Sequence, residues 1–553
     1  MSHRRYRLGS ASLALVFSCV SLGPARAQED PHAACAAMGW VPRAILERPT
    51  SLHPGVGNAH EAVTTSSPDA QAFYDQGLNY LHGYVWIEAA RSFHQALRTD
   101  PMLAMAYVGL SRVYTGLDDP AAAAQALGEA EARSGKARDW ERRRIALRRS
   151  QLQALADIAD PARHLAYKKA LDEALAASVG DVELWLLRGN AEEPTAAGRG
   201  QRGGAASTAF YREALRVSPD NAAAHHYLTH SYETIGLIPQ ALEQGEAYAR
   251  LAPAIPHSHH MWGHDLRRVG RIDDAIAAFQ RTDALEKAYY ASEGIPAGLD
   301  WHHVHNLDLL ATAYQYKGQV RRAEETLREA GALPPVTEYQ EYNNKALAVF
   351  LLGRSRWDDA LSAARQLAAG KWASTRAVGH ALGGSALLAL GRKDEARRAL
   401  EAAQRELLTV PVLAGGISIS RAAVQPWVDT LQGESLLRDG KTAEGRALLV
   451  DVEKRLRALP GPDAWIQALF RLEAIARAAR EVGDWELAEH TAREMIEHDR
   501  AYGGSHLALA LVEAHKGERA KAGESLAAAA AYWADADPDL AELALARSGA
   551  KGR

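Results

Sequence analysis

The chain is short of most things that would mark a familiar class of protein. It has two cysteines in 553 residues, Cys19 and Cys35, so a disulfide framework or a Cys-x-x-Cys metal knuckle is excluded. Aromatics make up 7%, which argues against a sheet-built core and for closely packed helices. No later stretch is long and apolar enough to span a bilayer. Neither charge dominates: the formal net charge is -4, and a mildly acidic chain is a poor partner for nucleic acid. His-Glu-x-x-His, Cys-x-x-Cys-His, a nucleophile elbow, a kinase motif set and a dinucleotide fingerprint are all missing.

The beginning of the chain reads as a targeting segment. Arg4, Arg5 and Arg7 precede a short apolar stretch from Leu8 to Leu22, and Ala25-Arg26-Ala27 supplies a small-residue cleavage site. Residues 1–27 are therefore expected to be a signal peptide, and the mature chain to be exported, periplasmic or secreted, starting at Gln28. Its removal takes away four arginines and no acid, shifts the net charge to -8 and leaves Cys35 as the single cysteine. Lipidation at Cys19 is the competing reading, for which Phe17 fits poorly. Five prolines between residues 28 and 68 suggest an extended N-terminal arm docking on the first repeat.

What is present is a repeat. Phe73 and Tyr107, Tyr80 and Tyr114, Ala89 and Ala123, Gly236 and Gly270, Ala241 and Ala275, and Gly483 and Gly517 are all 34 apart in sequence. Apolar residues recur at helical spacing between these marks, with Gly or Asp midway as a turn. Phe73, Gly77, Tyr80, Ala89, Phe93, Ala96 and Pro101 show the order within one unit. This resembles the tetratricopeptide repeat. The resemblance covers most of 69–536 and implies an all-α solenoid of about eleven helical hairpins wound into a right-handed superhelix. Units start near residues 70, 104, 181, 222, 256, 304, 341, 377, 426, 469 and 503, with an irregular helix pair at about 138–178. Insertions fall at 193–204, 287–303 and 411–424. The array divides into 69–337, which carries most of the histidines, and 338–536, followed by a tail at 537–553.

Ten of the 22 histidines lie between residues 225 and 305. His226 and His260 are 34 apart, as are His230 and His264, so consecutive repeats carry histidine at the same two places. Counted from the start of each first helix, these are the fifth and ninth places. The resemblance implies that the second, fifth, ninth and twelfth places line a concave groove. His257 and His305 fall at second places, Asp308 at a fifth, Asn190 at a ninth, and Glu193, Glu233 and Arg267 at twelfths. Asn190, Glu193, His226, His230, Glu233, His257, His260, His264, Arg267, His305 and Asp308 are thus expected to share one groove wall. His225 and His259 sit at packing places, and His302 and His303 precede a helix.

Three functions follow from such a wall. The solenoid as a class implies a protein or peptide partner gripped in the groove. His-x-x-x-His on a helix turns two nitrogens to one side, and a carboxylate one turn on completes or orients a metal site. His226, His230 and Glu233, repeated by His260 and His264, would suit Zn²⁺, Cu²⁺, Ni²⁺ or non-haem iron. A metal-dependent hydrolase or oxidoreductase is the third reading. Arg199 and Arg202 in the Gly-rich insertion 198–204 could also reach toward the groove and meet an anion.

Overall fold

The computed structural model describes residues 40–550 except 194–195, 197, 202, 413–417 and 459–467. The expected signal peptide, Cys35 and Arg202 lie outside the described residues. Among the described residues there is no β-strand; the chain is an all-α solenoid of helical hairpins.

A short helix, α1 (Arg43–Leu46), precedes the array. The first half comprises α2 (Pro68–His82), α3 (Trp86–Thr99), α4 (Ala104–Gly116), α5 (Pro120–Ala132), α6 (Asp139–Leu155), α7 (Pro161–Ala177), α8 (Val182–Asn190), α9 (Ala205–Val217), α10 (Ala222–Thr234), α11 (Ile238–Leu251), α12 (Pro256–Arg268), α13 (Ile272–Glu293), α14 (Trp301–Tyr316) and α15 (Val320–Ala332). The second half is α16 (Glu338–Asn343), α17 (Lys345–Gly353), α18 (Trp357–Ala368), α19 (Ala373–Ala389), α20 (Lys393–Thr409), α21 (Arg421–Arg438), α22 (Thr442–Ala458), α23 (Leu469–Val482), α24 (Trp485–His498), α25 (Gly503–His515), α26 (Arg519–Tyr532) and α27 (Ala541–Ala550). Consecutive helices pack against one another through most of the array.

The starts and stops are written in local chemistry. Ser67, Asp119, Asp160, Asp181, Asn221 and Asp300 each accept a backbone N–H in the first turn of the following helix, which satisfies a donor that the helix itself cannot. The turn inside a hairpin calls for a left-handed residue. Gly236 and Gly270 provide it at φ 78° and 82°, whereas Tyr84 takes the same turn at φ 59°, a conformation that costs a side chain about 1 kcal/mol or more. Tyr84 holds it because its ring is buried and its hydroxyl donates to the Arg199 carbonyl at 2.5 Å.

Small residues let the helices close up. A Cβ on Gly77 or Gly109 would stand 2.7 or 2.4 Å from the ring of Phe93. That ring is fully buried between α2 and α4. Burial of a Phe side chain stabilises by about 2–3 kcal/mol, so these contacts fix the spacing of the stack.

The solenoid turns back on itself twice. In the first half, the α2–α3 turn reaches across to the later hairpins: His226 Nδ1 donates to the His82 carbonyl at 2.8 Å, and Trp301 Nε1 donates to the Tyr84 carbonyl at 3.5 Å. Residues 40–66 run over this closure. Ala254 N donates to the Gly55 carbonyl at 2.9 Å, Asn58 Nδ2 to the Asp220 carbonyl at 2.6 Å, and Arg48 to the Glu293 carbonyl at 2.7 Å. This segment therefore crosses several hairpins besides the first. The end of the chain makes the second closure: Asp537 N donates to the carbonyl of Gly318, between α14 and α15, at 3.1 Å, and Arg354 pairs with Glu542 on α27 at 2.7 Å.

Candidate metal centre

Closure of the first turn converts the inner wall into an interior. His226, His257, His260, His264, His302 and His305 are at most 5% exposed, and His230 is 7% exposed. They stand on α10, α12 and α14 and form one continuous run of imidazoles. Ring centroids are 5.0 Å apart for His226 and His230, 5.5 Å for His257 and His260, and 4.5 Å for His260 and His264. His230 and His264 thus belong to a single line of rings.

Within that run, one arrangement occurs twice. A first triad joins His226 and His230 on α10 to His257 on α12. A second joins His260 and His264 on α12 to His305 on α14. Each takes the fifth- and ninth-place residues of one repeat and the second-place residue of the next. In each triad one ligand nitrogen per residue lies within 4.8 Å of the others. The Nε2 atoms of His226 and His230 are 3.1 Å apart, those of His230 and His257 3.4 Å, and those of His260 and His264 2.9 Å. Two nitrogens at tetrahedral positions on a metal with bonds near 2.0 Å stand about 3.3 Å apart, so these separations need little adjustment.

The proton positions favour metal as well. His226 Nδ1 faces a carbonyl oxygen and must donate. His260 Nδ1 donates to Asn306 Oδ1 at 3.0 Å, and Asn306 is oriented by its own donation to the Phe279 carbonyl at 3.1 Å. A neutral ring whose proton is fixed on Nδ1 presents a lone pair at Nε2. Burial, followed by the neighbouring imidazoles, holds His226, His257, His260 and His305 well below the ordinary value of 6.5. The environment therefore keeps these rings in the uncharged form that a metal requires.

His302 supplies a third, overlapping grouping with His257 and His260. Its Nε2 shares one proton with His257 Nδ1 at 2.9 Å, and its Nδ1 donates to Glu286 at 2.5 Å. His303 Nδ1 donates to the other Glu286 oxygen at 2.9 Å. Burial alone would raise the Glu286 carboxyl, but the two imidazoles hold it down to about 2. Burial opposes the charge on His303 too, yet Glu286 raises that ring's value overall.

The remaining expected groove residues are not in the triads. Glu233 Oε1 lies 3.4 Å from His264 Nδ1, beside the second triad instead of completing the first. Asn190 accepts from the Tyr211 hydroxyl at 2.7 Å, and Glu193 accepts from Gly200 N at 2.5 Å, so both brace the loop after α8. Arg267 is fully buried, 2.6 Å from the Tyr316 hydroxyl and 3.5 Å from Asp499. Asp308 faces Lys345, whose ammonium burial pushes down to about 7. Arg199 lies over Trp86, with its guanidinium near the carbonyls of Thr115 and Gly116. His225 and His259 are half-buried, and each bonds the carbonyl of the proline six positions earlier at 3.0 Å.

Sequence reasoning did not place Tyr84, His82, Glu286 or His302 at the centre. Tyr84 packs 4.6 Å from the His226 ring and 5.0 Å from that of His257. Its arrival depends on the turn of a distant hairpin, for which no local signal exists. Glu286 was within reach: α13 runs on to Glu293, so part of the expected insertion at 287–303 is helix.

A cavity of about 210 Å³ opens onto His257, His302 and Glu286. A separate grouping of Asp283, His303 and Glu329 is bridged by Lys287, whose Nζ is 2.8 Å from Asp283 and 2.7 Å from Glu329. That ammonium already stands between the two carboxylates.

Fold and site together define an all-α solenoid of tetratricopeptide-like hairpins with an imidazole core. No protein-family model matches the chain, and no curated protein does. Among solved structures it is similar to MamA protein, at 15% identity over 40% of this chain and 94% of that one, with a TM-score of 0.19. It is also similar to yeast Tom70, at 10% identity over 88% of this chain and 89% of that one, with a TM-score of 0.28. The architecture stands on the helix pairing itself. Among the described residues, no helix is long and apolar enough to cross a membrane.

Proposed function

We propose that this protein binds a divalent transition metal, zinc or copper, in the two repeat-related imidazole triads. The single observation behind this reading is the duplicated arrangement, in which buried Nε2 atoms lie 2.9–3.4 Å apart. All-nitrogen sets without thiolate suit Zn²⁺ and Cu²⁺. A metal with three imidazoles keeps a position for water or substrate, so the chemistry it would supply is Lewis-acid or redox catalysis. The two triads share no residue, and the expected content is two ions per chain.

Protein binding, the usual role of hairpin solenoids, belongs in this reading to other surfaces, because rings this deeply buried offer a peptide nothing to touch. Export through the segment at 1–27 is part of the same proposal.

The test is elemental analysis of protein purified without an affinity tag, stripped with chelator and dialysed against Zn²⁺ or Cu²⁺. Wild type should carry two ions, His230→Ala and His264→Ala one each, and the double variant none. Wild type with as little metal as a folded double variant would sink the reading.

A further inference from the structure

The second half holds a buried cation without a counter-charge. α17 and α23 pack against each other, and a cavity of about 50 Å³ lies where they meet α19 and α21, walled by Leu352, Trp357, Leu382, Phe470 and Ala474. Three arginines and two glutamates also line it. Arg438 pairs with Glu481 at 2.6 Å, Glu434 accepts from the Ser385 hydroxyl at 2.6 Å, and Arg477 donates to the Gly353 carbonyl at 3.1 Å. Arg471 has no such partner. It is 5% exposed, and its Nε and Nη1 find no acceptor among the described residues. Its guanidinium stands 3.4 Å from the centre of the Trp427 ring, and the Trp427 indole donates to the Tyr342 hydroxyl at 3.0 Å. Lys345, a second buried cation beside it, already faces Asp308.

Burial lowers the Arg471 value to about 9, so the group is still charged at neutral pH. A buried guanidinium with unmade hydrogen bonds is costly, and such an orphan calls for an acceptor from outside the chain. The planar fork of arginine matches a carboxylate. Three arginines against two glutamates leave one positive charge over, which suits a monoanion. A cavity of about 50 Å³ holds about three to five water-sized groups, enough for a carboxylate and a short alkyl stem.

We infer that this cavity binds a short-chain aliphatic monocarboxylate, with the carboxylate on Arg471 and the alkyl stem against Leu352, Trp357 and Phe470. The site shares no residue with the imidazole triads and does not depend on metal.

The test is calorimetric titration of the full chain at pH 7.5, in a buffer free of carboxylates, with sodium butyrate, butyramide and sodium chloride. Butyrate should bind saturably and about tenfold or more tighter than butyramide, which keeps the shape without the charge. Chelation should leave that affinity unchanged. Arg471→Met removes the charge but keeps a side chain over Trp427, and should weaken butyrate about tenfold or more. Arg471→Lys keeps the charge without the fork and should also weaken it, by a smaller factor; it carries the test if circular dichroism shows the methionine variant unfolded. The proposal is overturned if butyrate shows no saturable binding, if butyramide or chloride binds as tightly, or if either folded variant binds butyrate as wild type does.

Discussion

Acidification of the metal-free protein puts the buried imidazoles to a quantitative test. His226, His257, His260 and His305 are held well below 6.5, first by burial and then by one another. The unfolded chain binds protons at these rings near pH 6.5 while the folded chain does not. Their contribution to stability is thus present above that value and lost as pH falls below it. At pH 5.5 each ring kept neutral costs about 1.4 kcal/mol, and the four together at most about 6 kcal/mol, against a typical domain stability of about 5–15 kcal/mol. His303 has the opposite sign, but its contribution is already complete below 6.5 and does not slow the loss. Glu61, raised to about 7 by burial, gains protons in the folded state and opposes the trend. The informative quantity is therefore a difference between proteins. Urea unfolding of chelated wild type and His226→Gln should be followed from pH 7.5 to 5.5, with hydrogen exchange across 222–316. The variant should be spared about 1.4 kcal/mol of the destabilisation at pH 5.5. Equal sensitivity in the two proteins, or exchange in 222–316 that ignores pH, would refute the argument.

Other expectations are simpler. Asn306→Ala removes the acceptor that orients His260; it should weaken one of the two metal sites about 10-fold or more, read by competition with a chromogenic chelator. Arg267→Ala breaks a buried pair with Asp499 and Tyr316 and should cost about 3 kcal/mol in denaturant unfolding while leaving metal content unchanged. Gly109→Ala drives a methyl into Phe93 and should cost about 1–3 kcal/mol in the same assay. N-terminal sequencing of protein exported from its host should begin at Gln28.

The array was legible because each unit carries its own marks. Pro at a helix start, Gly in the turn and an aromatic opposite a glycine all act within a single repeat or its neighbour. His226, His230, His260 and His264 were legible for the same reason: the period that places Phe93 against Gly109 also places imidazoles in register. Their surroundings were not. Repeat geometry predicts an open concave wall, and that fails because the first hairpin's turn closes over α10 and α12. Tyr84 enters through this closure, a contact between hairpins far apart in the chain that no periodicity encodes. His302 joins because α14 begins at Trp301, ahead of the unit start near 304. Arg267 misled for a reason like that of Tyr84. Its place in the repeat is a groove place, but the second turn brings Asp499 against it.

The Tyr84 turn resting on His226 and His257 changes how the array should come apart. A repeat stack normally frays from its ends, since each unit knows only its neighbours. Here the opening hairpin is fastened to those built on α10 and α12, so the span from about 82 to 305 is a hoop with no loose end. Ions in its hub would tighten that hoop further, and loading would have to wait until the ribosome had delivered its last imidazole.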